Sequence, residues 1–226
     1  MKPSPTKPHG GCLQPVPQPF AGQFITLTPT DLAGDIDELF TGSHEPESVE
    51  RLWRYLPIGP FPNARAMSEW LAQQLVLPDL ISFTVTDNAT GRRIGSISLM
   101  NIRAGHGVAE LGFVWYVAAA QRTKANTEAC YLLLRHCFEA LGYRRMEWKC
   151  DVANEASRRA ARRLGFTFEG IFRQHMIVKG ENRDTAWFSL LDHEWPRIAT
   201  AIRRWLYEDD SIPLSTLTEA GGKAES

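Results

Sequence analysis

The sequence has few cysteines, no Cys-x-x-Cys pair and almost no net charge. None of its four cysteines stands with histidines at the spacing of a zinc finger. We therefore predict neither a disulfide framework nor a metal site, and a reducing, cytoplasmic compartment is the simpler expectation. The formal charge of −1 at pH 7 gives no electrostatic reason to expect nucleic acid as the partner.

Long apolar runs are also missing. No stretch approaches the roughly 20 residues that span a bilayer, and no apolar run of about 7–15 residues follows the early lysines. We therefore expect neither membrane association nor secretion.

The hydrophobic share of 43% in 226 residues is enough for one α/β core and too small for two complete domains. Residues 1–21 are rich in proline and poor in apolar side chains, and the end from Glu208 is acidic and polar. We predict a flexible tail over 1–21, a single domain over 22–207 and a second flexible tail over 208–226.

An alternating pattern predicts a β-strand over Ala109–Val117. The strand would place Leu111, Phe113, Trp115 and Val117 on one face and Glu110, Gly112, Val114 and Tyr116 on the other. A carboxylate, Glu110, is therefore expected among half-buried strand residues.

An amphipathic helix follows this strand after a polar, basic loop. Its apolar positions have the spacing of one helical face and end at Leu141, where Gly142 is expected to stop the helix. The loop Gln121–Asn126 lies where free backbone N–H groups and the helix dipole meet two cationic side chains. This combination predicts an anion site that suits a phosphate.

Turn signals and alternation predict two further hairpins. The first joins strands over 80–87 and 93–101, and the second joins 166–178 to 185–191 across a polar loop, 179–184. Between them, Met146–Asp151 is a predicted strand, and Asn154 is the predicted cap of a short helix that Gly165 ends.

Between Ala109 and Gly170 the chain resembles the GNAT superfamily of acyl-CoA N-acyltransferases, and in particular its RimJ/RimL-like branch. The resemblance spans roughly residues 22–206 and is carried by Glu110, the loop from Gln121, the Asn-Glu-Ala-Ser at 154–157 and the Leu-Gly-Phe at 164–166. It implies a mixed α/β fold of the α+β kind, with a largely antiparallel twisted sheet of about seven strands, a splayed fourth and fifth strand, and flanking helices.

The resemblance also implies acetyl-CoA as co-substrate, with no metal. In the family a splayed strand binds pantetheine through its backbone and the following loop cradles the pyrophosphate. Matching positions here are Val114, Trp115, Gln121, Arg122, Thr123, Lys124, Ala125, Asn126, Thr127 and Asn154. Lys124 and Asn126 replace the small residues of the general loop pattern, and Asn can take the left-handed conformation that Gly usually supplies.

Two residues are the candidate catalytic groups. Glu110 has the type and position of a general base, and the alternative is a structural carboxylate paired with an Arg or with backbone amides. Many family members use a Tyr as the acid at the position where this chain has Ala161. The RimL-like branch suggests Ser157 instead, to hydrogen-bond the departing sulfur, and the alternative is a serine that satisfies the helix N-terminus.

Tyr55 and Phe61 lie in or beside an aromatic, proline-containing segment that the resemblance places over the acceptor side. They are candidates for the substrate pocket, or they pack the helices onto the sheet. The expected activity is acetyl transfer to a primary amine, on a small molecule or a peptide, by a monomer or homodimer. The alternative is a catalytically silent acyl-CoA-binding module.

Overall fold

The computed structural model describes residues 11–219, and these form an eight-stranded sheet flanked by helices. The strands are β1 Phe20–Ala21, β2 Ile25–Pro29, β3 Ile81–Asp87, β4 Arg93–Arg103, β5 Val108–Tyr116, β6 Arg145–Asp151, β7 Thr167–Val178 and β8 Glu181–Leu191. The helices are α1 Leu32–Ser43, α2 Val49–Trp53, α3 Ala64–Leu75, α4 Ala125–Arg135, α5 Glu155–Arg163, α6 Trp195–Tyr207 and α7 Leu214–Glu219.

The strand order is β1-β2-β3-β4-β5-β6-β8-β7, and every neighbouring pair is antiparallel except β5 and β6. The predicted mixed fold with a largely antiparallel sheet is confirmed, with eight strands instead of about seven. The additional strand is the two-residue β1, which lies before the first predicted strand and moves the splayed pair to β5 and β6.

The helices lie on the two faces of this sheet. Buried residues of α4, α5 and α6 pack with most strands into one large core. On the other face, α1, α2 and α3 build a smaller cluster around Trp53 and Trp115. Gly142 ends the helical segment that follows α4 with a φ of 74°, as predicted.

The β7–β8 turn is shorter than predicted. Lys179 and Gly180, at φ 51° and 83°, form a two-residue turn, and residues 181–184 belong to β8. The loop prediction over 179–184 was wrong because polar residues can extend a hairpin that stands in solvent. The ammonium of Lys179 donates to the carbonyl oxygen of Trp53 at 2.7 Å, so the hairpin tip contacts α2.

The strand prediction for Ala109–Val117 was right in position and wrong in its faces. Ser96 pairs with Trp115 and Ser98 with Gly112, so β5 has one extra residue there, and Phe113 has a φ of 48°. Such a bulge reverses the alternation beyond it. Leu111 and Tyr116 consequently reach the large core together, although the pattern had placed them on opposite faces.

The two ends of the domain differ from the predicted flexible tails. Residues 1–10 and 220–226 lie outside the described part, but the segment 12–21 contacts the domain. The amide of Leu13 donates to the carbonyl of Leu141 at 3.1 Å, and Phe20 packs against Phe83 and His136. Beyond residue 207, α7 buries Leu214 and Thr218. Composition missed these contacts because few residues make them: the Leu13 backbone and the Phe20 ring at one end, and Leu214 and Thr218 at the other.

None of the helices within residues 11–219 combines the length and the apolar character needed to cross a bilayer.

Candidate active site

The site is centred on the point where β5 and β6 separate. The parallel pairing of these strands ends at Glu110 and Glu147, and from Leu111 onward β5 has no β6 partner. The edge of β5 that would face β6 is open there. An extended ligand can therefore add backbone hydrogen bonds along it.

Glu110 is 5% exposed, and one of its carboxylate oxygens is fully engaged. Its Oε2 accepts a hydrogen bond from Asn101 Nδ2 at 2.6 Å and pairs with Lys149 Nζ at 2.6 Å. Burial raises the pKa of Glu110, while Lys149 and then Asn101 act against that rise. The structure thus combines the two sequence interpretations, since a paired carboxylate occupies the position of the expected base.

The other oxygen, Oε1, has no hydrogen-bond partner among residues 11–219. It faces Gly112, where an added Cβ would lie 3.6 Å from it and would collide with Met100. Gly112 therefore leaves room for the Met100 side chain, whose sulfur lies over it on the side of Oε1.

Lys149 and Asn101 were not singled out from the sequence. Lys149 Nζ also lies 4.1 Å from the centroid of the Trp187 ring and 3.9 Å from a Glu147 oxygen. Asn101 has a φ of 49° in an irregular part of β4. A lysine within the predicted buried strand Met146–Asp151 was the available signal for a buried acidic partner.

The predicted phosphate loop lies at the start of α4, which has no side-chain cap. Arg122 is exposed with a φ of 63°. Thr127 is fully buried, and its hydroxyl has no hydrogen-bond partner within the described chain. An uncapped helix start, a cation and an unpaired hydroxyl fit a phosphate ligand.

The rest of the loop makes contacts within the protein. The Lys124 side chain was expected to face the anion site. Instead, its ammonium donates to the carbonyl of Leu206 at 3.0 Å and pairs with Asp210 at 3.0 Å. The amide of Ala125 donates to Thr123 Oγ1 at 3.3 Å.

Three other predicted cofactor residues have different surroundings. The Gln121 side chain donates to the carbonyl of Tyr116 at 3.0 Å, and Asn126 Oδ1 accepts a weak bond from Cys130 Sγ at 3.6 Å. Val114 lies at the β5 bulge, next to Trp115, which pairs with Ser96.

Ser157 and Asn154 lie at the start of α5. Asn154 Oδ1 accepts the amide of Ser157 at 3.1 Å, which confirms the predicted cap, and Ser157 Oγ accepts the indole N–H of Trp148 at 2.9 Å. Trp148 and Lys149 are neighbours on β6 and point to opposite faces. Ser157 and Glu110 are therefore on opposite sides of the sheet and do not contact each other.

A narrow cavity lies between α1–α3 and the sheet. Phe61 lines it and Tyr55 does not; Tyr55 instead lies under the guanidinium of Arg54. Other lining residues that the sequence interpretation did not name for this role are Trp70, Phe113, Ser96 and Ser98.

His44 holds the proline-containing segment against α1. Its Nε2 accepts the amide of Phe61 at 2.9 Å, so Nδ1 carries the proton and donates to the carbonyl of Phe40 at 3.1 Å. Burial lowers the pKa of His44, which keeps this acceptor available at neutral pH.

The family model described as "Acetyltransferase (GNAT) domain" matches residues 25–167. The solved structure of a GCN5-related N-acetyltransferase from Brucella melitensis is 39% identical and superposes with a TM-score of 0.88, covering 92% of this chain and 97% of that one. A second structure, titled a "probable acetyltransferases (GNAT family)" from Chromobacterium violaceum, is 38% identical with a TM-score of 0.80 and covers 87% and 98%.

Among curated proteins, the "Putative ribosomal N-acetyltransferase YdaF" of Bacillus subtilis (strain 168) is 35% identical over 105 residues. That match covers 46% of this chain and 57% of the relative. The family match, the fold and the open β5 edge agree, and the chain belongs to the GNAT family of acetyltransferases.

Proposed function

We propose that this chain transfers an acetyl group from acetyl-CoA to a primary amine by direct attack within a ternary complex. The observation that carries the proposal is the position of Glu110, buried at the last paired residue before β5 leaves β6, with Oε1 free. Acetyl-CoA supplies the activated thioester. The open edge of β5, including the backbone of Val114 and Trp115, holds its extended arm and donates N–H groups to the carbonyl.

The pyrophosphate binds at the start of α4. Arg122 and the amides of the first turn are the donors that support this assignment, together with the unpaired Thr127 hydroxyl. Gln121, Thr123, Lys124, Ala125 and Asn126 shape the loop through the contacts described above.

Glu110 acts as the general base. Asn101 and Lys149 hold Oε2, and the free Oε1 takes a proton from the incoming ammonium, directly or through one water. Replacing Glu110 by Gln keeps the shape and removes the proton acceptor, so kcat/KM should fall by roughly 10²–10⁴ at neutral pH while the Kd for CoA is unchanged. The loss should shrink as pH rises, because an amine that arrives neutral needs no base.

Ser157 is the proposed hydrogen-bond donor to the departing sulfur. Its oxygen accepts the Trp148 indole N–H, and its hydroxyl is within hydrogen-bond reach of the Cys150 thiol, so this role requires the Ser157 proton to turn from Cys150 to the departing sulfur. Ser157→Ala should lower kcat without changing the pH dependence of amine attack. An unchanged kcat with a lower melting temperature would leave Ser157 a structural residue beside its cap, Asn154.

The rival function is acyl-CoA binding without catalysis. It is favoured by the absence of the family Tyr, since Ala161 is fully buried and cannot donate a proton. The measurement that separates the two is thiol release from acetyl-CoA across a panel of amines. Calorimetric CoA binding with no thiol release from any amine would support the binding module and contradict the transferase.

A further inference from the structure

The proposed base already holds a primary ammonium, which belongs to Lys149. Nζ of Lys149 lies 2.6 Å from Oε2 of Glu110, and the two side chains are 16% and 7% exposed. The acceptor amine is proposed to react at Oε1 of the same carboxylate. A lysine of the chain itself therefore lies beside the position of the substrate nitrogen, and a lysine that has lost its proton is a nucleophile toward carbonyl carbon.

Lys149 also lies beside the gap between β5 and β6. It is two residues beyond Glu147, the last residue of β6 that pairs with β5. The same register, continued, would place Lys149 level with Gly112, at the beginning of the open β5 edge. That edge is proposed to hold the extended arm of acetyl-CoA, so a thioester bound along it and the Lys149 side chain meet at the same end of the gap.

The contacts of Lys149 supply a route for its proton. Lysine attacks a thioester only as the neutral amine, so the ammonium must first lose a proton. Glu110 is in direct contact, and burial raises the pKa of its carboxyl, which makes the carboxylate a stronger proton acceptor. The Trp187 ring centroid at 4.1 Å and a Glu147 oxygen at 3.9 Å are further from Nζ.

The chain offers two other described lysines for comparison. Lys124 pairs with Asp210 at 3.0 Å and is 28% exposed, and Lys179 is exposed at the tip of the β7–β8 hairpin. Lys149 is thus the least exposed lysine of residues 11–219. Acetyl-CoA reacting from solution would modify the exposed amines first, so selective modification of Lys149 would require the thioester to be bound in the site.

We propose that Lys149 is a site of self-acetylation, used when acetyl-CoA is bound and no acceptor amine is present. Glu110 takes one proton from the ammonium, Nζ bonds to the thioester carbonyl carbon, and the carbon–sulfur bond breaks. A second Nζ proton passes to the departing thiolate. The products are an uncharged acetyl-lysine, the free thiol of CoA and a protonated Glu110. The inference rests on the proposed acetyl transfer and adds a regulation of the same site.

Acetylation of Lys149 would inactivate the base. The acetylated side chain has no charge, so the buried Glu110 carboxylate loses its ion pair and its neutral form is favoured. Less of the base is then ionised at neutral pH. Acetyl-CoA that accumulates without an acceptor would in this way stop the enzyme that consumes it.

Peptide mass spectrometry of the full chain, incubated with saturating acetyl-CoA and no amine, tests the site. Lys149 should gain an acetyl group roughly tenfold faster than Lys179, because the bound thioester and the amine are held together. The rate constant should stay the same when the protein is diluted about tenfold, since the step is intramolecular. Faster acetylation of Lys179, or a rate constant that falls with dilution, would overturn the inference.

Activity after the same incubation tests the regulation. Wild type that has been incubated and then desalted should show a kcat/KM at neutral pH about tenfold below that of a sample incubated without acetyl-CoA. Lys149→Arg keeps a charge and has no reactive amine, so incubation should not change its own activity. Lys124→Arg is the matched control and should lose activity as wild type does. An equal response of wild type and Lys149→Arg would overturn the regulation.

Two failures are distinguishable. Thiol release with an amine acceptor, together with an unmodified Lys149, would overturn self-acetylation and leave the proposed function standing. Absence of thiol release with every amine and an unmodified Lys149, while calorimetry shows CoA bound, would overturn acetyl transfer and self-acetylation with it.

Discussion

At the scale of single residues, the ion pair between Lys149 and Glu110 decides how the proposed base behaves. Burial alone would push the pKa of Glu110 upward and leave the carboxyl protonated, and so inactive, over more of the pH range. Lys149 opposes this from 2.6 Å and is the nearest charge; Glu147, which also faces the site from β6, acts in the opposite direction.

Lys149→Met is expected to move the acidic limb of the kcat/KM profile to higher pH. The substitution keeps the length of the side chain and removes the charge that lowers the pKa of Glu110, so the base becomes ionised only at higher pH. Lys149→Arg should restore most of the wild-type profile. A uniform loss of rate at all pH values, with no displacement of the limb, would show that Lys149 has a packing role alone.

The sequence predicted the position of Glu110 and did not predict its partners. Position follows from local alternation, which the strand obeys up to Gly112. The Lys149 contact depends on the register between β5 and β6, whose paired residues Glu110 and Glu147 are separated by a loop and a helix. A register of that kind is set by tertiary packing and leaves no local signature.

At the scale of elements, the two cationic side chains near the start of α4 have different roles. Arg122 is exposed beside the uncapped helix start, whereas Lys124 is bonded to the C-terminal end of α6. The proposed CoA site therefore draws on Arg122 and on backbone amides.

Arg122→Gln is expected to raise the Kd for CoA by about tenfold at low ionic strength, with a smaller effect at high salt, since an exposed charge is screened. Lys124→Gln should leave the Kd within about twofold and lower the melting temperature instead, because it removes a bond between α4 and α6. Titration calorimetry and thermal unfolding of both variants would check the contrast. It fails if Lys124→Gln weakens CoA binding as much as Arg122→Gln does.

The segment between α2 and α3 is pH-sensitive through His44. Because burial lowers its folded-state pKa below the ordinary 6.5, the neutral ring contributes stability that is complete above pH 6.5 and is lost as pH falls toward the folded-state pKa. Protonated Nε2 cannot accept the amide of Phe61.

His44→Gln should therefore be less stable than wild type at pH 7.5, with the difference in unfolding free energy narrowing by pH 5. Urea unfolding at the two pH values measures it. His106→Gln, at an exposed loop position, is the matched control and should show no such narrowing. A constant difference for His44→Gln would exclude His44 as the titrating group.

Helix α4 and the β3–β4 hairpin followed from periodicity and turn residues, because local rules decide both. The bulge at Phe113 could not be predicted from local rules. A phenylalanine rarely adopts a φ of 48° by its own preference, and packing by neighbouring residues holds it there. That one residue changed the predicted faces of half a strand.

At the scale of the whole molecule, one carboxylate joins three separate parts of the chain. Glu128 of α4 is fully buried and accepts the backbone amides of Gln23, Phe24 and Ile25 at 2.7–2.8 Å, together with the hydroxyl of Tyr207 at 2.8 Å. Sequence analysis assigned no role to Glu128, because its partners lie about 100 residues earlier and 79 residues later.

Removal of residues 1–21 is expected to lower the melting temperature by several degrees, in contrast to the tail expectation from composition. The deletion removes the partly buried Phe20 from its contact with the core, which contributes less than the about 1.5–3 kcal/mol of a fully buried phenylalanine. A chain that begins at Gly11 retains the contacts of β1 and is the control. Equal melting temperatures for chains beginning at Gly11 and Gly22 would show that the docked segment contributes nothing.

The distance in sequence between Glu128 and its partners also sets the order in which their hydrogen bonds can form during synthesis. Strands β1 to β5 are neighbours in chain order and can pair as each is synthesised, so the first half of the sheet does not wait for the second. Tyr207 leaves the ribosome 79 residues after Glu128, a delay of roughly 4–16 s at 5–20 residues per second. During that interval the growing chain contains three of the four Glu128 donors, and the last hydrogen bond, from Tyr207 of α6, can form only after all eight strands have been synthesised.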